Sequence, residues 1–259
     1  MKLLIIRHGD PDYSIDSLTE KGWKEAELLK KRLLKLDISA FYVSPLGRAQ
    51  ATAKPTLEAL NKTARVCDWL REFDGVVTDP ETGEKTYPWD RYPRFMCENE
   101  DYYDKDKWID TPFISEGTVK EKYKAVCDGL DGLLARHGYV HNGKIFNVEK
   151  ENTDTVALFC HFGVECVLLS HLLKISPMAL WQGFVALPSS VTTLNTEERE
   201  QGVAYFRCSG FGDISHLYAG DEPASFQARF CETYSNFEET FWAIWMRFRS
   251  ASVTRSTAK

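Results

Sequence analysis

The chain has no block of lysine or arginine, and its formal net charge is -6 over 259 residues. Phosphate backbones demand a basic surface, so a nucleic-acid partner is not expected. No uninterrupted apolar segment approaches the length that crosses a bilayer, so no membrane partner is expected either. The apolar stretch at the N-terminus is too short for a signal-peptide core and runs straight into Arg7. Seven cysteines, an odd number without recurring spacing, do not make a disulfide framework. These absences together predict a cytoplasmic protein with reduced thiols. Internal repeats and low-complexity tracts are also missing. So are a G-x-x-x-x-G-K-[ST] loop for nucleotide phosphates and a G-x-S-x-G elbow for acyl transfer. Cys160 lacks the arginine six residues later that a thiolate phosphate loop requires, because position 166 is Cys166.

What is present is an ordinary soluble composition, 43% hydrophobic and 27% charged, long enough to bury a sizeable core. The run Leu3-Leu4-Ile5-Ile6 predicts a buried strand ending in Arg7-His8-Gly9. Ser17-Leu18-Thr19-Glu20 reads as a capping box, and Ala26, Leu29, Leu33 and Leu36 give the helix after it one apolar face. Residues 40–43 read as a second strand. Ser44-Pro45 follows as N-cap and first helical residue of a helix that carries Arg48, Thr52 and Leu57. A short strand is expected at about 64–67, a helix at about 118–136 ended by Gly138, and a strand at 155–160 ending in His161-Phe162-Gly163. A buried helix should follow over 164–173. Two β-rich runs, 191–195 and 203–208, predict adjacent strands. Residues 209–217 read as a solvated Gly-rich loop carrying His216. Phe226, Phe230, Phe237, Phe241, Trp242 and Trp245 suggest amphipathic helices, with a disordered tail from about residue 250. Strands alternating with helices imply one α/β domain over 1–259, a three-layer α/β/α sandwich with a mostly parallel central sheet.

Residues 74–115 contain Pro80, Gly83, Pro88, Pro93 and Pro112 without sustained periodicity, and a loop of that length is usually functional. Its aromatics (Tyr87, Trp89, Tyr92, Phe95, Tyr102, Tyr103, Trp108) predict a lid-like insertion packed on the domain. Eleven acidic residues against five basic ones make it a poor recruiter of polyanions.

Three sites share one predicted geometry. Arg7-His8 follows the first strand, Arg48 lies in the first turn of the helix after the second, and His161 lies between a strand and a helix start. All fall at the carboxyl edge of the sheet, where helix N-termini offer free N–H groups. Singly, Arg7 reads as a surface ion-pair partner, and His8 or His161 as a hydrogen-bonded structural histidine. Arg48 opposes its helix dipole, which favours an anion nearby. Together, two guanidiniums and two imidazoles make a site for a dianionic phosphoryl group, and a neutral histidine can itself attack phosphorus. Two arginines repel a cation, so no metal or other cofactor is expected there.

These residues resemble the histidine phosphatase superfamily, the phosphoglycerate mutase-like fold. The resemblance rests on Leu4-Ile5-Ile6-Arg7-His8-Gly9 and on Leu18-Thr19-Glu20-Lys21-Gly22 with Ala26. Ser44-Pro45-Leu46-Gly47-Arg48-Ala49 with Thr52-Ala53, Leu70-x-Glu72 and His161-x-Gly163-Val164 complete it, in that order. It implies His8 as the nucleophile that becomes phosphohistidine, and Arg7, Arg48 and His161 as holders of the phosphoryl oxygens. Glu72 would be the proton donor to the leaving group, with a surface carboxylate paired to Arg71 as its plain alternative and Glu165 as the reserve acid. Mutases of the family place Asn and a Gly-Trp pair in the loop after the first histidine, whereas Asp10–Ser17 holds neither. The implied activity is therefore hydrolysis of a small organic phosphate monoester. A phosphoglycerate-type mutase and a non-catalytic phospho-ligand binding protein remain the alternatives, and oligomeric state is not readable.

Overall fold

The computed structural model describes residues 1–89 and 93–225. The amphipathic helices and the tail expected beyond residue 225 lie outside the described residues. An eight-stranded sheet is built from β1 (Lys2–Arg7), β2 (Ala40–Val43), β3 (Arg65–Val66), β4 (Tyr139–Asn142), β5 (Ile145–Val148), β6 (Thr155–Cys160), β7 (Val191–Glu200) and β8 (Val203–Asp213). Their spatial order is β3-β2-β6-β1-β7-β8-β5-β4. The block β3-β2-β6-β1 is parallel, and β7, β8, β5 and β4 extend it through antiparallel pairings.

Side chains alternate across a strand, so β1 feeds two cores at once. Leu4 and Ile6 pack with Leu29 and Leu33 of helix α1 (Glu20–Leu33) and Ala49 and Ala53 of helix α2 (Gly47–Leu60). Leu3 and Ile5 face the opposite layer of helices α3 (Val119–Arg136), α4 (Phe162–Leu173) and α5 (Pro177–Gly183). Fully burying such an aliphatic side chain contributes about 1.5–3 kcal/mol. The result is the three-layer sandwich. Helix α4 is apolar nearly all round because it lies between the sheet and other helices. Among the described residues, no helix is long and apolar enough to cross a membrane.

Several local expectations are corrected. Thr19, not Ser17, caps α1: its Oγ1 accepts from the Gly22 amide at 3.0 Å. Ser17 is held extended, because Ser17-Leu18 pairs with Pro11-Asp12. Helix α1 ends at Leu33 rather than near Leu36. Helix α2 starts at Gly47 with Leu46 at its N-cap, so Pro45 precedes the helix and the Ser44 hydroxyl, outside the cap position, accepts from the Leu46 amide at 3.2 Å. Helix α4 starts at Phe162, two residues earlier than expected. Residues 209–213 continue β8 instead of forming a solvated loop, and His216 is buried with Nε2 at 3.2 Å from Ser189 Oγ. The β4–β5 hairpin was not anticipated.

The described parts of the 74–115 segment, 74–89 and 93–115, pack down on the layer of α3, α4 and α5, and Tyr92 lies outside the described residues. Met96, Tyr102, Trp108, Phe113 and Ile114 are buried there, whereas Tyr87 and Tyr103 stay exposed.

Candidate active site

Strand register brings the predicted residues together. Arg7 is paired with Cys160, so His8 and His161 are the next residues of neighbouring parallel strands. Their ring centroids are 5.1 Å apart. Val43 is paired with Phe159 on the other side of β6, which sets Ser44 beside the same strand end. Arg48 follows in the first turn of α2.

The hydrogen bonds orient each group. His8 Nδ1 lies 2.7 Å from the Gly9 carbonyl oxygen. A carbonyl only accepts, so Nδ1 carries the proton and Nε2 keeps its lone pair. The His161 Nε2 is hydrogen-bonded to Ser44 Oγ at 2.7 Å, and its Nδ1 has no protein partner. Arg7 Nη1 donates to the Ala186 carbonyl at 2.5 Å, and Arg48 Nη1 pairs with Asp16 Oδ1 at 2.7 Å. The Nε atoms of both arginines are buried and unpartnered. Unpaired buried donors on two guanidiniums are costly unless an anion satisfies them.

Burial, reinforced by Arg7 and Arg48, holds the His8 imidazole well below its ordinary pKa. Burial does the same to His161, with His8, Arg48 and Arg7 adding to it. Both rings are therefore neutral at pH 7. Glu72 turns inward rather than toward Arg71. Its Oε1 accepts from the Phe73 and Val164 amides at 2.9 and 3.1 Å. Burial raises its pKa despite those bonds and the pull of Arg48 and Arg7. This carboxyl is thus biased toward its protonated form beside two arginines. Glu165, the other candidate acid, is buried in α4 and accepts from Thr192 Oγ1 at 2.6 Å.

Several supporting residues were missed. Asp16 adopts a left-handed backbone (φ 47°) and bridges the Arg48 guanidinium and the Gly47 amide, the latter at 2.7 Å. A Cβ on Gly47 would sit 2.1 Å from the Asp16 carbonyl oxygen, so only glycine admits that approach. Thr52 accepts from the Gly9 amide at 2.9 Å and donates to the Arg48 carbonyl at 2.8 Å. Glu25 accepts from the Asp10 amide at 2.8 Å and fixes the loop after His8. Thr52 was marked in the sequence by the Thr52-Ala53 match without a role, Glu25 only by its polarity on a helix, and Asp16 by nothing.

The insertion reaches the site through Trp89. A Cβ on Gly163 would lie 2.6 Å from Glu72 Oε1 and 3.0 Å from Trp89 Cη2. Trp89 stacks on Tyr87 at 5.0 Å and contacts Trp181, whose Nε1 donates to the Gly163 carbonyl at 3.0 Å. Tyr13 lies over Arg48, with its ring centroid 5.4 Å from the guanidinium carbon. The result is a cationic floor with aromatic walls.

A family model described as the histidine phosphatase superfamily (branch 1) matches residues 3–208. A relative from Schizosaccharomyces pombe, named a probable phosphatase, is 40% identical over 232 residues, which span 84% of this chain and 95% of that one. Phosphoserine phosphatase 1 of Hydrogenobacter thermophilus is 25% identical over 169 residues, spanning 62% of this chain and 75% of its own. A phosphoserine phosphatase variant from Entamoeba histolytica, solved with phosphoserine, aligns with a TM-score of 0.53. The identity is 21%, and the alignment covers 83% of this chain and 98% of that one. At that identity the likeness bears on the fold.

Proposed function

The chain belongs to the histidine phosphatase superfamily and is a phosphatase, and we propose that it hydrolyses a small organic phosphate monoester through a phosphohistidine on His8. The observation that carries this reading is the His8 tautomer. With Nδ1–H tied to the Gly9 carbonyl, the neutral ring offers Nε2 as a nucleophile beside two guanidiniums.

In the first step the Nε2 lone pair forms the N–P bond in line with the departing ester oxygen. The P–O bond breaks with its electrons on that oxygen, which takes the Glu72 proton. In the second step Glu72, now a carboxylate, accepts a proton from water as water attacks phosphorus. The N–P bond breaks, its electrons return to Nε2, and inorganic phosphate leaves. Arg7, Arg48 and His161 stabilise the charge on the three non-reacting oxygens through both steps. Glu72 is assigned the acid role over Glu165 because its carboxyl lies at the Val164 amide beside His161, whereas Glu165 is bonded to Thr192 inside the core.

Trp89 and Tyr87 suit a leaving group with apolar or sugar surface, and the acidic insertion disfavours polyanions. A panel of phosphate monoesters that includes phosphoserine, 3-phosphoglycerate and sugar phosphates, read by phosphate release, tests the reading. Turnover on one or more of them supports it. Phosphate binding without release would make the protein a binder. Isomerisation of phosphoglycerate with little release would make it a mutase.

A further inference from the structure

Asp131, His141 and His171 come from three elements: the C-terminal part of α3, strand β4 and the C-terminal part of α4. Asp131 Oδ1 is 2.7 Å from His171 Nε2, and Asp131 Oδ2 is 3.0 Å from His141 Nδ1. The two imidazole centroids are 4.6 Å apart. One ligand atom from each side chain falls within 4.8 Å of the other two, and among the described residues this is the only such metal-capable trio. All three are half-buried.

The protons on this trio do not match in its simplest form. His141 Nε2 lies 2.7 Å from the Gly143 carbonyl oxygen. A carbonyl only accepts, and this contact is shorter than the 3.3 Å one to the Lys174 ammonium, which would need a bare Nε2, so the closer partner places the hydrogen on Nε2. A singly protonated ring then turns the bare Nδ1 lone pair toward a carboxylate oxygen at 3.0 Å, and two acceptors face each other. A cation bound by both removes that conflict, and so does a second proton on the ring. The Gly143 bond itself is the kind of outer contact that fixes the tautomer of a metal-ligating histidine. Lys174 Nζ lies 3.3 Å from Nε2, on the nitrogen that would not bind metal.

We propose that Asp131, His141 and His171 form a binding site for a zinc-type divalent cation. His141 Nδ1, His171 Nε2 and an Asp131 oxygen would be its protein ligands, with water in the remaining position. Two imidazoles with one carboxylate suit zinc and its late first-row neighbours, whereas magnesium and calcium favour all-oxygen sets. The site is separate from phosphoryl transfer. His171 is ten residues beyond His161, which places it about 15 Å further along α4. Its role is to tie α3, β4 and α4 together and so stabilise the fold.

Titration of the chelator-stripped full chain with zinc chloride tests this, read by calorimetric stoichiometry and by thermal unfolding. One equivalent should bind, and Tm should rise with zinc concentration. His171→Gln and Asp131→Asn should weaken that equivalent by at least the roughly 10–100-fold that even an outer-shell loss costs. Phosphatase turnover should be unaffected in the zinc-free variants. Nitrogen NMR of the wild type is independent of how well the variants fold: zinc should shift His141 Nδ1 and His171 Nε2 together. Zinc uptake that is equal in wild type and variants, or that leaves both nitrogens unmoved, overturns the proposal. So does a wild type whose Tm ignores zinc. The trio would then be a hydrogen-bonded tie between the three elements.

Discussion

The His8 and His161 rings stand 5.1 Å apart because Arg7 and Cys160 are register partners on adjacent parallel strands. A one-residue slip of that register would turn one imidazole away from the other, so pairing in the sheet controls the spacing of the two rings. The geometry has four consequences for activity and stability.

The proposed mechanism sets Arg48 at a developing anion, and Asp16 holds its guanidinium. Arg48→Ala should lower kcat/KM for a phosphate monoester by roughly a hundredfold or more, the loss expected for a removed transition-state donor. Asp16→Asn should lower kcat by a smaller factor, about tenfold, because the guanidinium remains but loses its anchor. Steady-state kinetics on p-nitrophenyl phosphate will rank the two, and an equal loss would contradict the assigned roles.

As the proposed acid, Glu72 should matter most when the leaving oxygen is basic. Glu72→Gln should cost roughly 10²–10⁴-fold on an alkyl phosphate and far less on p-nitrophenyl phosphate. Since burial raises the Glu72 pKa, wild-type turnover of the alkyl ester should decline as pH rises through that value. The Gln variant should lack this limb. The same variant built at Glu165 should retain both the limb and the leaving-group dependence.

Gly163 makes room for the Glu72 carboxyl. Its substitution by Ala would place a methyl 2.6 Å from Glu72 Oε1 and 3.0 Å from the Trp89 ring. Gly163→Ala should therefore mimic Glu72→Gln in its leaving-group dependence, with kcat for an alkyl phosphate falling at least tenfold. A normal kcat for that ester would show that the carboxyl can move without cost.

Glu165 should set a pH limit on stability. Burial lifts its pKa from 4.5 to about 7. A raised carboxyl pKa contributes stability in full below about 4.5, and that contribution is lost as pH rises through about 7. The loss is on the order of 3 kcal/mol at most. His8, His161 and His216 work in the opposite sense: their lowered pKa values contribute above about 6.5 and lose that contribution on acidification. Denaturant unfolding at pH 5.5 and 8.5 should show Glu165→Gln gaining on the wild type at the higher pH. An identical pH slope in both proteins would contradict the assignment.

Much of this was legible in the sequence where local rules govern. The apolar run before Arg7 marked β1, and the strand ends marked His8 and His161. Position in the first helical turn marked Arg48. Glu72 was reached only through a resemblance, because its irregular backbone has no periodicity. What escaped depends on distant contacts. Ser44 looked like a cap, yet its hydroxyl is bonded to His161, 117 residues away. Asp16 needed a left-handed turn that an Asp-rich loop does not announce. Asn142-Gly143, with Gly143 at φ 63°, carried a hairpin signal that went unread. The Asp131, His141 and His171 trio forms only when α3, β4 and α4 pack.

The central claim is covalent chemistry at His8, and trapping the intermediate tests it most directly. The enzyme should be mixed with a turned-over phosphate monoester, quenched under alkaline denaturing conditions and mapped by mass spectrometry. The account predicts an acid-labile phosphoryl group on His8 that forms before free phosphate appears, and no adduct or turnover in His8→Ala. Phosphate release at the normal rate by His8→Ala would contradict it.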